Sequence, residues 1–359
     1  MIHARGLTRR FTVKRKVVEA VRGLDLDVEQ GQLVAFLGPN GAGKSTSLRM
    51  LTTLLPPTSG TATVAGRDIA ADPDGVRARI GYVGQNSGAG EQFRAGDELV
   101  AQGYAYGLTR REARRRAAEV MDMLDLTPLA ARRPSTMSGG QRRRLDIALG
   151  LIHRPPLLFL DEPTTGLDPH TRADVWRHIL RLREQYGMTL FLTTHYLEEA
   201  DTMAERVVVI DHGRVIADGT AARLKADLAG DRVTLTAQEP GDTARAAATA
   251  GRIFGADRVE TEGGAVRVRV PRAEAALPEL LRALEGEGVR VATAETARPT
   301  LDDVFLALTG RTLREAEGGG TADTALADGT ADAAGTAGTP GTAAQPTAAP
   351  AAAPEGDRA

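Results

Sequence analysis

No stretch of this chain restricts its fold more than LVAFLGPNGAGKST (33–46). An apolar run of buried-strand length leads into Gly38-x-x-x-x-Gly43-Lys44-Ser45, the G-x-x-x-x-G-K-[ST] pattern, and the helical stretch STSLRMLTTLL follows. Such a loop binds phosphate only between a strand and a helix. Gly38, Gly41 and Gly43, with Asn40 between them, let successive backbone N–H groups curl around phosphate oxygens, and the helix N-terminus adds its positive dipole end. Lys44 supplies an ammonium, and the Ser45 hydroxyl, with Thr46 beside it, suits Mg²⁺. Of the 45 lysines and arginines, only Lys14, Lys16, Lys44 and Lys225 are lysines. A lysine at this position therefore marks a need for a compact charge rather than a planar fork.

The rest of residues 1–225 agrees with an α/β sheet. LLFLDE (157–162), TLFLTTH (189–195) and RVVVID (206–211) are further apolar strand-length runs separated by helical stretches. Residues 97–150 read as helical, with Thr109 and Glu112 forming a capping box. VIDHGRVIADG (209–219) reads as a hairpin about His212-Gly213. Residues 231–297 run strand, helix, strand, strand, helix, strand, which predicts a small ferredoxin-like α/β module within 230–313. A last helix, TLDDVFLALTG (300–310), gathers Leu301, Val304, Phe305 and Leu308 on one face. Residues 314–359, rich in Ala, Gly, Thr and Pro, carry too little apolar surface to offset ordering entropy and are expected to be a disordered tail.

Several function classes fall away on composition. The chain has no cysteine, so thiol catalysis and cysteine-ligated zinc are excluded. A net charge of −2 gives no global field toward nucleic acid, and no nucleic-acid partner is expected. The amino terminus shows no secretory apolar segment, and no run reaches the 18 apolar residues of a membrane span.

Two further motifs carry chemistry. LLFLDEP ends a buried strand on Asp161 and Glu162, where Asp161 would hold Mg²⁺ through water and Glu162 would orient or deprotonate an attacking water. Taken alone, such acids also read as turn residues. TMSGGQRRRLDIA (136–148) reads as a capped, glycine-lined helix start at Ser138, Gly139 and Gly140, a second place suited to phosphate.

With GPNGAGKST, MSGGQ and FLDEPTTGLDP together, the chain closely resembles the ATP-binding subunits of ABC transporters. The resemblance covers about 1–225 and implies a P-loop ATPase cassette: a RecA-like parallel sheet plus a helical subdomain at about 97–150. It implies that Phe11 stacks on adenine, that Gln85 touches Mg²⁺ and signals to a membrane subunit, and that Asp168 lies at a dimer seam. His195 is the implied switch residue at the γ-phosphate. Ser138, Gly139, Gly140 and Gln141 are implied to cap ATP held by a second copy, which is why one chain carries two phosphate-binding motifs. RPTLDDVFLALTGR (298–311) resembles the ending of the daunorubicin-resistance type, whose cassettes drive drug exporters. The expectation is an ATPase using ATP and Mg²⁺, working as a head-to-tail pair on a separate integral-membrane permease of ABC-2 type, peripheral to the cytoplasmic face of the cell membrane. A non-transporting regulatory or ribosome-associated ATPase, and an importer, remain the alternatives.

Overall fold

The computed structural model describes residues 1–13 and 15–318. The chain begins β1 (Ile2–Val13), β2 (Lys16–Val28), β3 (Leu33–Leu37), α1 (Lys44–Leu51), β4 (Ser59–Val64), β5 (Arg67–Asp68), α2 (Pro73–Arg77) and β6 (Ile80–Val83). Three helices follow, α3 (Ala95–Ala105), α4 (Arg110–Met123) and α5 (Gly139–Leu151). Next come β7 (Leu157–Asp161), α6 (Pro169–Tyr186), β8 (Thr189–Thr194), α7 (Leu197–Met203), β9 (Arg206–Asp211), β10 (Arg214–Gly219) and α8 (Ala221–Leu224). The last run is β11 (Asp231–Ala237), α9 (Thr243–Phe254), β12 (Val259–Glu262), β13 (Ala265–Val270), α10 (Ala273–Gly286), β14 (Val291–Ala297), α11 (Leu301–Thr309) and α12 (Leu313–Gly318).

The central sheet has the order β10-β9-β3-β8-β7-β6. All its pairings are parallel except the β9–β10 hairpin. Both faces are covered, so β3 and β7 are buried at every position, which is why they read as unbroken apolar runs. Val34 and Phe36 face a core shared with α1 and an antiparallel sheet of order β2-β1-β4-β5. Leu33, Ala35 and Leu37 face a second core built with α3 to α6. Phe191 stands between Phe36 and Phe159, with ring centroids 5.6 Å from each. The β9–β10 turn is His212-Gly213, both residues at positive φ (46° and 77°), the geometry that matches strand twist.

Beyond α8 the third sheet is antiparallel throughout, in the order β12-β13-β11-β14. With α9 and α10 against one face, this is the ferredoxin-like arrangement. Its core is Val233, Leu235, Val266, Val268, Ala250, Leu280 and Leu284.

Two expectations shift. The helix after the phosphate loop stops at Leu51, because the Thr52 hydroxyl bonds back to the Leu48 carbonyl at 3.0 Å and Thr53 turns left-handed at φ 62°. Low complexity does not set in as structure at 314: Leu313–Gly318 is a helix. Thr312 and Glu315 cap it reciprocally, and Leu313 and Ala316 are buried, so local capping and one apolar turn suffice. The remaining tail, 319–359, lies outside the described residues. The apolar face of α11 is not spare surface either. Leu301, Val304 and Phe305 are buried in the same core as Ala200 of α7 and Leu224 of α8.

Candidate active site

The loop between β3 and α1 is glycine-lined for steric reasons. A Cβ on Gly38 would lie 2.3 Å from the Ile210 carbonyl oxygen. Gly43 has φ 103°, and a Cβ there would lie 2.5 Å from the Ala20 carbonyl oxygen. Asn40 and Gly41 are exposed at the tip. No side chain caps α1 and its first turn carries no acid, so its N-terminal amides face no built-in anion. Lys44 is only 4% exposed, and its ammonium donates to the carbonyls of Gly38 (2.7 Å) and Pro39 (3.1 Å).

The strand ends bring the acids to this loop. Ser45 Oγ donates to Asp161 Oδ1 at 3.0 Å, and Thr193 Oγ1 donates to the same oxygen at 2.6 Å. Burial pushes the Asp161 carboxyl up, and these two hydroxyls oppose it without cancelling it. Glu162 is buried and held at φ 46°, its N–H bonded to the Thr193 carbonyl and hydroxyl oxygens. Its Oε1 lies 3.5 Å from Lys44 Nζ. Its Oε2 accepts from Gln85 Nε2 and Thr165 Oγ1, each at 3.2 Å, and lies 3.4 Å from His195 Nδ1. Burial pushes Glu162 up, but the neighbouring His195 ring and the Lys44 charge outweigh it, so its pKa sits below the ordinary value. Lys44, Ser45, Gln85, Asp161, Glu162 and His195, drawn from four separate segments, thus meet at the carboxyl ends of the parallel strands.

Ser138, Gly139, Gly140, Gln141 and Asp168 form a second cluster at the starts of α5 and α6. Ser138 and Gln141 make a reciprocal cap on α5, with Ser138 N–H to Gln141 Oε1 at 3.0 Å. Asp168 caps α6 through the Thr171 N–H (3.0 Å) and hydroxyl (2.6 Å). Ser138, Gly139 and Asp168 are exposed. Gly140 packs these helix starts together: a Cβ there would fall 2.2 Å from Thr171 Cγ2. Phe11 stands in β1 with the Arg9 guanidinium 4.8 Å over its ring.

That contact at Gly140 yields a test. Alanine gains up to about 1 kcal/mol of helix propensity over glycine, while overpacking costs about 1–3 kcal/mol. Thr171 cannot rotate away without losing its 2.6 Å bond to Asp168, so the clash wins. Gly140→Ala should lower Tm, and adding Thr171→Ser, which removes Cγ2 and keeps the hydroxyl, should restore most of it. A single variant as stable as the parent would refute the packing role.

Sequence reading missed three residues that shape the site. Thr193 is the first, and a threonine pair at a strand end was its only signal. Glu199 is the second: it is buried on α7, and its two carboxylate oxygens accept from the Thr164 and Thr194 hydroxyls, tying the β7 and β8 loops together. Arg143 is the third. Lost in a run of three arginines, it is buried and donates to the carbonyls of Pro163 (2.6 Å), Gly84 (2.6 Å) and Asp161 (3.1 Å). Removing it orphans three acceptors at about 1–3 kcal/mol each. Arg143→Met should therefore cost about 3 kcal/mol or more, a fall of about 6–12 °C in Tm at this domain size. A melt within a degree of the parent would show that the brace is dispensable.

A phosphate loop, a left-handed glutamate at a strand end and a capped glycine helix on one parallel sheet define an ATP-hydrolysing cassette. The ABC transporter family model matches residues 21–165, and the model of the DrrA1-3-like ATP-binding protein C-terminal domain matches 219–309. The chain is 43% identical to the daunorubicin resistance ATP-binding protein DrrA2 of Streptomyces coeruleorubidus, over 88% of this chain and 97% of that protein. It is 45% identical to the daunorubicin/doxorubicin resistance ATP-binding protein DrrA of Streptomyces peucetius, over 81% of this chain and 88% of that one. Among solved structures, a bacterial ABC transporter cassette in dimeric form superposes with a TM-score of 0.57 at 28% identity, covering 61% of this chain and 98% of the cassette. The chain belongs to the ATP-binding subunits of ABC transporters, in the daunorubicin-resistance branch.

Proposed function

We propose that this chain powers export of drug-like or other hydrophobic compounds, with residues 1–225 as the ATPase and residues 230–318, extended to include the last helix, as an accessory module. The observation that carries the catalytic reading is the convergence of Lys44, Gln85 and His195 on the Glu162 carboxylate beside the phosphate loop. Lys44 and the loop amides would hold the phosphates, and Phe11 the adenine. Glu162 takes a proton from the attacking water as its oxygen bonds the γ-phosphorus and ADP departs. His195 holds the γ-phosphate.

Mg²⁺ suits the donors present: the Ser45 hydroxyl and Asp161 carboxylate are already paired, and Gln85 bonds Glu162 through Nε2, leaving Oε1 for a cation. Among the described residues no group of three or more His, Cys, Asp or Glu could hold a metal alone; phosphate oxygens of the nucleotide would supply further ligands. When bound, Mg²⁺ neutralises charge on the phosphoryl oxygens.

Ser138, Gly139, Gly140, Gln141 and Asp168 would cap ATP on a second copy in a head-to-tail pair. The exposure of Ser138, Gly139 and Asp168 supports this. Among the described residues no helix is long and apolar enough to cross a membrane. A separate permease, of ABC-2 type, would form the path. A groove of about 300 Å³, lined by Leu54, Tyr82, Gly84, Tyr106 and Leu149, supports its docking. Leu54 is exposed, and Gly84 adjoins Gln85, giving a short route from groove to site. With a permease docked there, the chain would sit at the cytoplasmic face of the membrane. The relatives named for daunorubicin and doxorubicin resistance favour a transporter over a free regulatory ATPase.

The test is a tagged Glu162→Gln pull-down from solubilised host membranes with ATP. A multi-helix membrane protein should co-purify. Recovery only from the soluble fraction, with ribosomes or a cytosolic protein, would overturn the transport reading.

A further inference from the structure

The two ends of the phosphate loop rest on one support. The end of β9 approaches Gly38, where only a glycine clears the Ile210 carbonyl. Just beyond, the Gly213 N–H donates to the Ala42 carbonyl of the loop at 2.8 Å, and the Gly213 carbonyl accepts from Arg22 N–H at 2.8 Å. A Cβ on Gly43 would lie 3.5 Å from Gly213 Cα, so turn and loop are in backbone contact. The turn is in its own right gripped from outside the cassette. Arg311 Nη2 donates to both carboxylate oxygens of Asp211 at 3.1 Å, and His212 Nδ1 lies 3.3 Å from it. Arg311 sits between α11 and α12, both anchored in the cassette core, and the Thr309 hydroxyl bonds its carbonyl at 3.0 Å. Asp211 is 12% exposed in its side chain, so the pair is shielded on one side.

We propose that Arg311 is a positioning residue for ATP. By fixing Asp211 it holds the His212-Gly213 turn against Ala42, and so sets the curl of the loop that receives the phosphates. The C-terminal segment thereby contributes to nucleotide affinity without touching nucleotide. The inference rests on the loop being the ATP site.

The experiment measures equilibrium binding of a fluorescent ATP analogue, together with KM and kcat for ATP, on the full-length chain. Arg311→Ala and Asp211→Asn should each raise Kd and KM about fivefold, at the low end of inter-site couplings, with kcat within twofold of the parent. Arg311→Lys should recover part of the loss, and the double variant should be no weaker than the worse single one. If Arg311→Ala fails to fold, the isosteric Asp211→Asn carries the test alone. Unchanged Kd in folded variants, or a fall in kcat at constant KM, overturns the proposal. Lys44→Ala is the control: if it still binds the analogue, the ATP-site reading fails, whatever Arg311 does.

Discussion

Glu162→Gln should cut ATP turnover by about 10²–10⁴-fold while ATP still binds, the loss expected when a positioned general base is removed. The amide is nearly isosteric, so Gln85 and Thr165 keep an acceptor and the strand end keeps its shape. Lys44 keeps the Gly38 and Pro39 carbonyls. What is lost is one negative charge in the place an attacking water must occupy, and that charge also opposes the incoming γ-phosphate. Affinity should therefore hold or improve, and the two-copy assembly should persist with ATP. The fold depresses the Glu162 pKa below its ordinary 4.5. A depressed carboxylate lends stability above its unfolded pKa and loses it as pH falls through the folded value. Between pH 6 and 8 the comparison is thus a charged glutamate against a neutral amide throughout. Phosphate release and size-exclusion chromatography in ATP check it, and turnover within tenfold of the parent would remove Glu162 from its role.

Lys44→Ala should lower ATP affinity by about 10²–10³-fold, since losing one partner of a desolvated, hydrogen-bonded charge pair between protein and ligand costs about 3–4 kcal/mol. The change strips a counter-charge from buried Glu162 and a donor from two loop carbonyls before any nucleotide arrives. Thermal stability without ATP should fall as well. Lys44→Arg should not rescue binding, because a planar fork replaces a compact ammonium in a space only 4% exposed. Calorimetric titration with ATP decides it, and near-parental affinity would mean the phosphates bind elsewhere.

The parts legible in the sequence are those whose chemistry is local. Gly38, Gly43, Lys44 and Ser45 lie within eight residues, and their spacing alone implies a strand on one side and a helix on the other. The Ser138 and Thr109 caps were readable for the same reason, since a capping box spans only four residues. Thr193 was not, because its partner Asp161 lies 32 residues away and only sheet register brings them together. Nor does a run of three arginines say which one turns inward; burial of Arg143 is decided by three carbonyls that the tertiary fold supplies. The apolar face of α11 was visible, but its destination on α7 and α8 was not, since periodicity names a face and never its partner.

That destination sets a timetable for synthesis. The core beneath α7 and α8 is completed by Leu301, Val304, Phe305, Leu313 and Ala316, made some ninety residues after α8. At about 5–20 residues per second, a ribosome leaves that apolar surface bare for about 5–18 seconds after the cassette strands have emerged. The ATPase half is therefore completed by residues made well after its own strands. A fragment ending before Leu301 should therefore present that apolar surface to solvent and be prone to aggregation and proteolysis.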